Sequence, residues 1–342
     1  YKSDLLQLKV NESKTIMMSS QEVTVKCLST NPPIYHVKEL LSAKDCQHII
    51  QRATPRLEPS FVTGAGNGNQ GQERSKKAAV VVGSSGSATY ETFSASSDNT
   101  TADQSLDKDK VLHDYYRSSY NTWLHTDSVL IALQSKLAAV LSIPLSYMQL
   151  HSEELQVVRY KEDGAQFKLH HDSSKFHTRH ITALLYLNDV HGGSGATGGE
   201  TWFPFADTNT DTDEITADGQ TNNRNKQSLM EVINSALATY HSTPDTTSLS
   251  GLKVTPSLGD AVIFYNHIVS DAQDAQDAQA LADRKKTDSS TTNNNTLVPP
   301  LNNCAIHAGL PILYGDVSPD TSTTSASAHH TTDGKWVANY WF

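Results

Sequence analysis

The chain has 342 residues, a net charge of −10 at neutral pH and a sequence pI of about 5.8. It carries no basic stripe to meet a phosphate backbone, which argues against a nucleic-acid partner, and no apolar run reaches the ~18 residues of a membrane span. Apolar residues make up 37% and the mean hydropathy is −0.46, as expected of one ordinary core diluted by polar insertions.

The chain opens at Tyr1 with no Met and no signal-like apolar stretch, as a trimmed sequence would. Residues 1–32 are taken as an N-terminal segment. The stretch NPPIYHVKELLSAKDCQHIIQRA then predicts a short extended piece through Ile34, Tyr35 and Val37. A helix carrying Leu40, Leu41, Cys46, Ile49 and Ile50 follows, with Ser42 as N-cap for the part beginning at Ala43. Residues 64–110 are rich in Gly, Ser, Asn and Asp and read as loop, except that KKAAVVVG could be a strand. After YYRSSYNTWL, the spacing of Leu130, Leu133, Leu137 and Leu141 predicts an amphipathic helix, capped by Asp127 and followed by Pro144.

From Leu155 the pattern changes to short β-branched and aromatic runs: LQVVRY, HITALLYLND, ETWFPF, LKVTP, DAVIFYN and KWVANYWF. Such runs, mostly without helices between them, predict a sandwich or jelly roll and not a βαβ fold. Three polar insertions interrupt them, at 206–250, 270–300 and 316–333. The first holds a helical island, SLMEVINSALATY. The second holds a DAQ repeat too short for a solenoid. The three cysteines, Cys27, Cys46 and Cys304, are too few for a disulfide framework and lack zinc-site spacing. One disulfide with a free thiol and three reduced thiols are both compatible with them. Sequons at Asn11, Asn99 and Asn294 agree with passage through the secretory pathway.

Within FKLHHDSSKF, His170 and Asp172 form an H-x-D pair. In an extended segment, residues i and i+2 face the same way, so an imidazole nitrogen and a carboxylate oxygen can reach one metal. Two histidines and a carboxylate on one face hold iron(II) in oxygenases. His307, in CAIHAGLP, is the candidate third ligand. Taken alone, an H-x-D triplet in a chain with 15 histidines reads more readily as a solvated loop than as a metal site. His171 is expected to face away, and His329 and His330 to be solvated.

Read together, the ordered motifs VVRYKEDGAQFKLHHD, RHITALLYLND, GGETWFP, VTPSLGDAVIFYN, IHAGLP and GKWVANYWF resemble the catalytic domain of prolyl 4-hydroxylases, iron(II)- and 2-oxoglutarate-dependent dioxygenases. The resemblance runs from about Pro33 to Phe342 and is most specific from Leu155 onward. It implies a mainly β fold with flanking helices (α+β), a double-stranded β-helix or jelly roll with long low-complexity insertions. The implied domain is 33–342, with a helical and substrate-loop part at 33–150 and a jelly-roll core at 151–342.

The resemblance implies His170, Asp172 and His307 as the iron ligands. It implies Lys335 as the partner of the distal carboxylate of 2-oxoglutarate, where a dianion in a partly dry pocket requires a cation. Thr201, Tyr160 and Trp341 would line the co-substrate pocket. Arg117 and Arg179 would lie near the peptide-binding surface. Phe167 stands where the family often has Tyr, so a hydroxyl near the substrate is missing. Tyr160 lies one residue farther from His170 than is usual, and the 316–333 insertion separates His307 from Lys335. Implied cofactors are Fe(II), 2-oxoglutarate and O2, with ascorbate as reductant, and the implied partner is a proline-containing peptide or protein. Several family members work in the endoplasmic reticulum, and a cytoplasmic enzyme is the alternative. Competing readings are a hydroxylase of another residue or of a small molecule, and a non-catalytic jelly-roll binding module.

Overall fold

The computed structural model describes residues 3–18, 21–60, 117–161, 164–174, 177–190, 196–207, 249–269, 301–313 and 334–342, and the backbone of 80–81. The helical island, the DAQ repeat, His329 and His330 lie outside the described residues.

In chain order the elements begin with β1 (Ser13–Met18), β2 (Gln21–Thr30), β3 (Pro33–Val37), α1 (Ala43–Ala53), β4 (Glu58–Pro59) and β5 (Val80–Val81). They continue with β6 (Tyr120–Leu124), α2 (Ser128–Leu141), α3 (Leu145–His151), β7 (Leu155–Tyr160) and β8 (Phe167–His171). Next come β9 (Ile181–Tyr186), β10 (Thr197–Gly198), β11 (Thr201–Phe203), β12 (Leu252–Val254) and β13 (Ala261–Tyr265). The last are β14 (His307–Gly309), β15 (Ile312–Leu313) and β16 (Lys335–Trp341).

Two helix starts follow from their caps. Ser42 accepts from the Asp45 N–H while the Asp45 carboxylate accepts from the Ser42 N–H, a reciprocal capping box. The helix expected to carry Leu40 and Leu41 therefore begins only at Ala43. Both leucines are instead buried in the segment leading to the cap. Asp127 caps α2 through the Leu130 N–H. Pro144 does more than end that helix, because it is the N-cap of α3. The strands β1, β2 and β6 and the helix α3 fall where no element was expected.

Among the described residues the larger sheet has nine antiparallel strands in the order β1-β2-β3-β13-β9-β16-β7-β6-β4, and the smaller has five in the order β12-β11-β14-β8-β5. β1 and β2 come from the segment ahead of Pro33 and extend the same sheet through pairing with β3. The larger sheet is covered on both faces. Along β7, Leu155 and Val157 pack toward α1 and α2, as do Leu185 of β9, Ile263 of β13, and Ala338 and Tyr340 of β16. Val158, Tyr186, Val262, Phe264 and Val337 face the other way and pack with Phe203 and Val254 of the smaller sheet. A strand buried on both faces reads as a continuous apolar run, which is why these segments stood out in the sequence. Two facing antiparallel sheets with helices outside one of them form the jelly roll, or double-stranded β-helix.

One glycine fixes the approach to β16. Gly334 has φ +81, and a Cβ there would sit 2.1 Å from the Tyr160 carbonyl oxygen. Only glycine allows the chain to enter β16 so close to β7. All three cysteines are free thiols.

Leu133, in the middle of α2, is fully buried, whereas Leu150 of α3 is 77% exposed. Leu133→Ala should lower unfolding free energy by about 3 kcal/mol in urea titration, and Leu150→Ala by no more than about 0.5 kcal/mol.

Candidate active site

The smaller sheet brings the candidate ligands together. β14 runs antiparallel to β8 with His307 directly opposite His170, and Asp172 follows two residues after His170. One ligand atom from each of the three lies within 4.8 Å of the other two. All three residues are buried. The His170 Nε2 stands 3.6 Å from Asp172 Oδ1, and the His307 Nε2 stands 3.8 Å from Asp172 Oδ2.

These separations are too long for hydrogen bonds. His170 Nδ1 lies 2.8 Å from the Lys168 carbonyl and His307 Nδ1 lies 3.0 Å from the Ala305 carbonyl. A carbonyl only accepts, so each Nδ1 donates to it, and each Nε2 is the nitrogen turned toward the carboxylate. Burial first, and then the neighbouring His307, holds the His170 imidazole neutral, well below its ordinary range. Burial opposes ionisation of Asp172, but His307, His170, Arg179 and the Thr182 hydroxyl outweigh it and keep the carboxyl below the usual carboxylate range. Two imidazole Nε2 atoms and a carboxylate thus converge from three buried side chains without hydrogen-bonding one another. Two histidines and one carboxylate on one face are a donor set that fits iron(II). His171, by contrast, is tied by its Nε2 to the Asn302 carbonyl at 3.1 Å.

Arg117, Tyr160, Phe167, Arg179, Thr201, Lys335 and Trp341 all line one cavity with His170, Asp172 and His307. The alternation along β16 decides its cationic wall: Lys335, Val337, Asn339 and Trp341 share the inner face. The long separation of Lys335 from His307 in sequence does not carry it out of the site. It sits directly opposite Tyr160 on β7, with Nζ 5.4 Å from the Tyr160 ring centroid. Nζ donates to the Gly199 carbonyl at 2.6 Å. Burial lowers its pKa from about 10.5 to about 8. Thr201 accepts from the Tyr186 hydroxyl at 2.8 Å.

Both arginines are buried in the cavity wall and do not stand on an open surface. Arg179 makes a two-pronged ion pair with Glu153 at 2.8 and 3.0 Å and lies 3.6 Å from the Trp341 ring centroid. Arg117 donates to Ser119 Oγ at 2.9 Å and lies 4.5 Å from the Phe167 ring centroid. Phe167 in turn stacks on His170 at 3.6 Å. Sequence reading passed over Tyr186, Thr182, Glu153 and Asn266. A hydroxyl residue on the inner face of an otherwise apolar β9 was the available signal for Thr182.

Residues 155–342 match the family model of the 2OG-Fe(II) oxygenase superfamily. The chain belongs to this superfamily. Among characterised proteins it is similar to prolyl 4-hydroxylase 13 of Arabidopsis thaliana, 25% identical over 252 residues, covering 70% of this chain and 61% of that one. It is also similar to the transmembrane prolyl 4-hydroxylase of Mus musculus, 29% identical over 177 residues, covering 44% of this chain and 30% of that one. The chain thus spans under two thirds of the length of these relatives. Among solved structures, the viral collagen prolyl hydroxylase of Paramecium Bursaria Chlorella virus-1 in its 2OG complex aligns over 90% of this chain and 94% of that one, at 16% identity and TM-score 0.40.

Keeping Lys335 charged in this wall is unfavourable to the ligand-free fold. Its folded pKa lies below its unfolded value, so the cost is full below pH 8 and fades as pH rises toward 10.5. Lys335→Met removes a cost of about 3 kcal/mol but strands the Gly199 carbonyl at about 1–2 kcal/mol. The variant should therefore melt above the unsubstituted protein at pH 7 without ligand. That advantage should shrink and reverse as the pH is raised past 10.

Proposed function

We propose that the chain is an iron(II)- and 2-oxoglutarate-dependent dioxygenase that hydroxylates prolyl residues in a peptide or protein, forming 4-hydroxyproline and releasing succinate and CO2. The observation that carries this reading is that Lys335 and the His170–Asp172–His307 group open onto one buried cavity. A binding module has no need of a buried carboxylate flanked by two imidazole nitrogens and a cation held at depressed pKa in the same cavity. The proposed domain is 33–342, with its jelly-roll core at 151–342.

In this reading His170, Asp172 and His307 hold the iron, which when bound supplies activation of O2 with 2-oxoglutarate as co-substrate. The remaining work belongs to the chain. The two Nδ1–H bonds to backbone carbonyls fix the imidazole planes before metal arrives. Lys335 meets the distal carboxylate of 2-oxoglutarate, and Thr201, Tyr160 and Trp341 shape the pocket around it. Packing of Phe203 and Phe264 against His307, at 5.4 and 4.7 Å between centroids, keeps water from the back of the site. Arg117, Phe167 and Arg179 form the wall that meets the peptide. The relatives named prolyl 4-hydroxylases support the prolyl assignment. Ascorbate as reductant and the endoplasmic reticulum as compartment follow from the same likeness. Phe167, which offers no hydroxyl to the substrate, favours a second reading in which another residue or a small molecule is the acceptor.

Succinate formation from 2-oxoglutarate, with Fe(II), O2 and proline-rich peptides, should appear with the unsubstituted protein and fall at least 100-fold in His170→Ala. A mass gain of one oxygen on proline in the peptide product supports the prolyl reading. The same gain on another residue supports the second one, and no metal-dependent 2-oxoglutarate binding at all would leave the binding module. Because 2-oxoglutarate needs the ammonium form of Lys335, its affinity should hold below pH 8 and weaken roughly tenfold per unit above it. Equilibrium titration across pH 7–10 in the presence of metal measures this. A flat profile would remove Lys335 from the co-substrate site.

A further inference from the structure

We propose that Thr182, held by Asn266, is a positioning residue that decides which oxygen of Asp172 is offered to the metal. The inference rests on the reading of His170, Asp172 and His307 as the iron site. Neither Thr182 nor Asn266 lines the cavity. Both are buried, at 1% and 0% exposure. The Asn266 Nδ2 donates to Thr182 Oγ1 at 2.9 Å, and Thr182 Oγ1 donates to Asp172 Oδ2 at 2.8 Å.

The direction of this relay is fixed by chemistry. An amide nitrogen can only donate, and a carboxylate oxygen can only accept. The single proton of the hydroxyl, already receiving from Asn266, must point at Oδ2. The Asn266 backbone is fixed, because its main-chain N–H donates to the His180 carbonyl at 2.8 Å and its main-chain carbonyl accepts from the Asn302 N–H at 2.9 Å, while its side-chain Oδ1 has no partner among the described residues. Asn302 also holds His171, through its carbonyl. One rigid corner after β13 thus braces the segment that carries Asp172 and the loop that leads to His307.

The consequence is an asymmetric carboxylate. Oδ2 is loaded by a hydroxyl, whereas Oδ1 accepts no hydrogen bond from any described residue and stands nearest the His170 Nε2. A carboxylate with one oxygen loaded presents the other as a one-oxygen ligand. Binding through both oxygens would fill a coordination position that small ligands need.

The test uses the whole chain without oxygen, with Fe(II) alone for affinity and Co(II) alone for its visible spectrum. Thr182→Val keeps the shape and removes the hydroxyl, and should weaken Fe(II) binding by about 10- to 100-fold. Its Co(II) bands should lose intensity as the second carboxylate oxygen joins the metal. Thr182→Ser keeps the donor, and should bind Fe(II) within about threefold of the unsubstituted protein, with its Co(II) spectrum. Should circular dichroism show Thr182→Val unfolded, Asn266→Leu carries the test, with about a tenfold loss expected. Fe(II) binding by Thr182→Val at unsubstituted strength with an unchanged Co(II) spectrum overturns the relay. So does a serine variant as weak as the valine one. His170→Ala separates the two levels: if it binds Fe(II) as tightly as the unsubstituted protein, the iron site falls and the relay with it, whereas a normal Thr182→Val beside a failing His170→Ala sinks the relay alone.

Discussion

The site depends on the register between β8 and β14. His170 and His307 are distant in sequence, and only their placement as directly opposed residues in an antiparallel pair sets both imidazoles over one point. Side chains alternate with a period of two, so a one-residue slip would turn one histidine to the opposite face. The pairing is irregular just beyond this point, between His307 and Gly309. The irregularity lies on the far side of the histidine pair and leaves the His170–His307 opposition intact. β11, on the other edge of β14, pairs Thr201 with Gly309 and Trp202 with Ala308. The strand carrying His307 is therefore held from both sides.

The second constraint is charge in a dry wall. Besides the two histidines and Tyr160, the acidic and basic side chains Arg117, Asp172, Arg179 and Lys335 are buried around the cavity. Burial of an unpaired charge is expensive, and each of them handles it differently. Arg179 is matched by Glu153 and covered by the Trp341 ring. Asp172 has a hydroxyl donor and the nearby arginine. Arg117 rests over an aromatic ring with one hydroxyl partner. Lys335 has a backbone carbonyl and, among described residues, no carboxylate within ion-pair distance, which is why burial depresses its pKa so far. A cation left short of an anion is a poor stabiliser of the empty fold and a good receptor for a dianion. Stability has been given up here at a place where, under the proposed function, the incoming carboxylate of 2-oxoglutarate would restore it.

Much of this was legible in the sequence because strand periodicity is a local signal. The H-x-D pair, the helix caps at Ser42 and Asp127, and the strands from Leu155 onward rest on residues close together in the chain. What was not legible is long-range. No spacing rule places Glu153 against Arg179 or Asn266 against Thr182, since those contacts exist only after β7, β9, β13 and β16 are laid side by side. The strand β6 was missed for a related reason. Its middle positions are half-buried and polar residues alternate weakly along it, so nothing local marked it apart from a loop. The helix α3 was missed because Pro144 reads as a stop, and a proline can end one helix and start the next.

The insertions test how strongly the strands specify the fold. Residues 204–251 separate β11 from β12, yet the two strands pair directly, with Phe203 opposite Leu252. Residues 314–334 separate β15 from β16, yet Lys335 starts in register with Tyr160. Closing a longer loop costs only about 0.6 kcal/mol for each doubling of its length. Burying Trp336, Val337 and Trp341 on one strand returns several times that amount. The entropy of a long excursion is thus a small charge against a strand buried on both faces. Insertion is therefore tolerated at these strand ends, while a single-residue change of register within β8, β14 or β16 would dismantle the cavity.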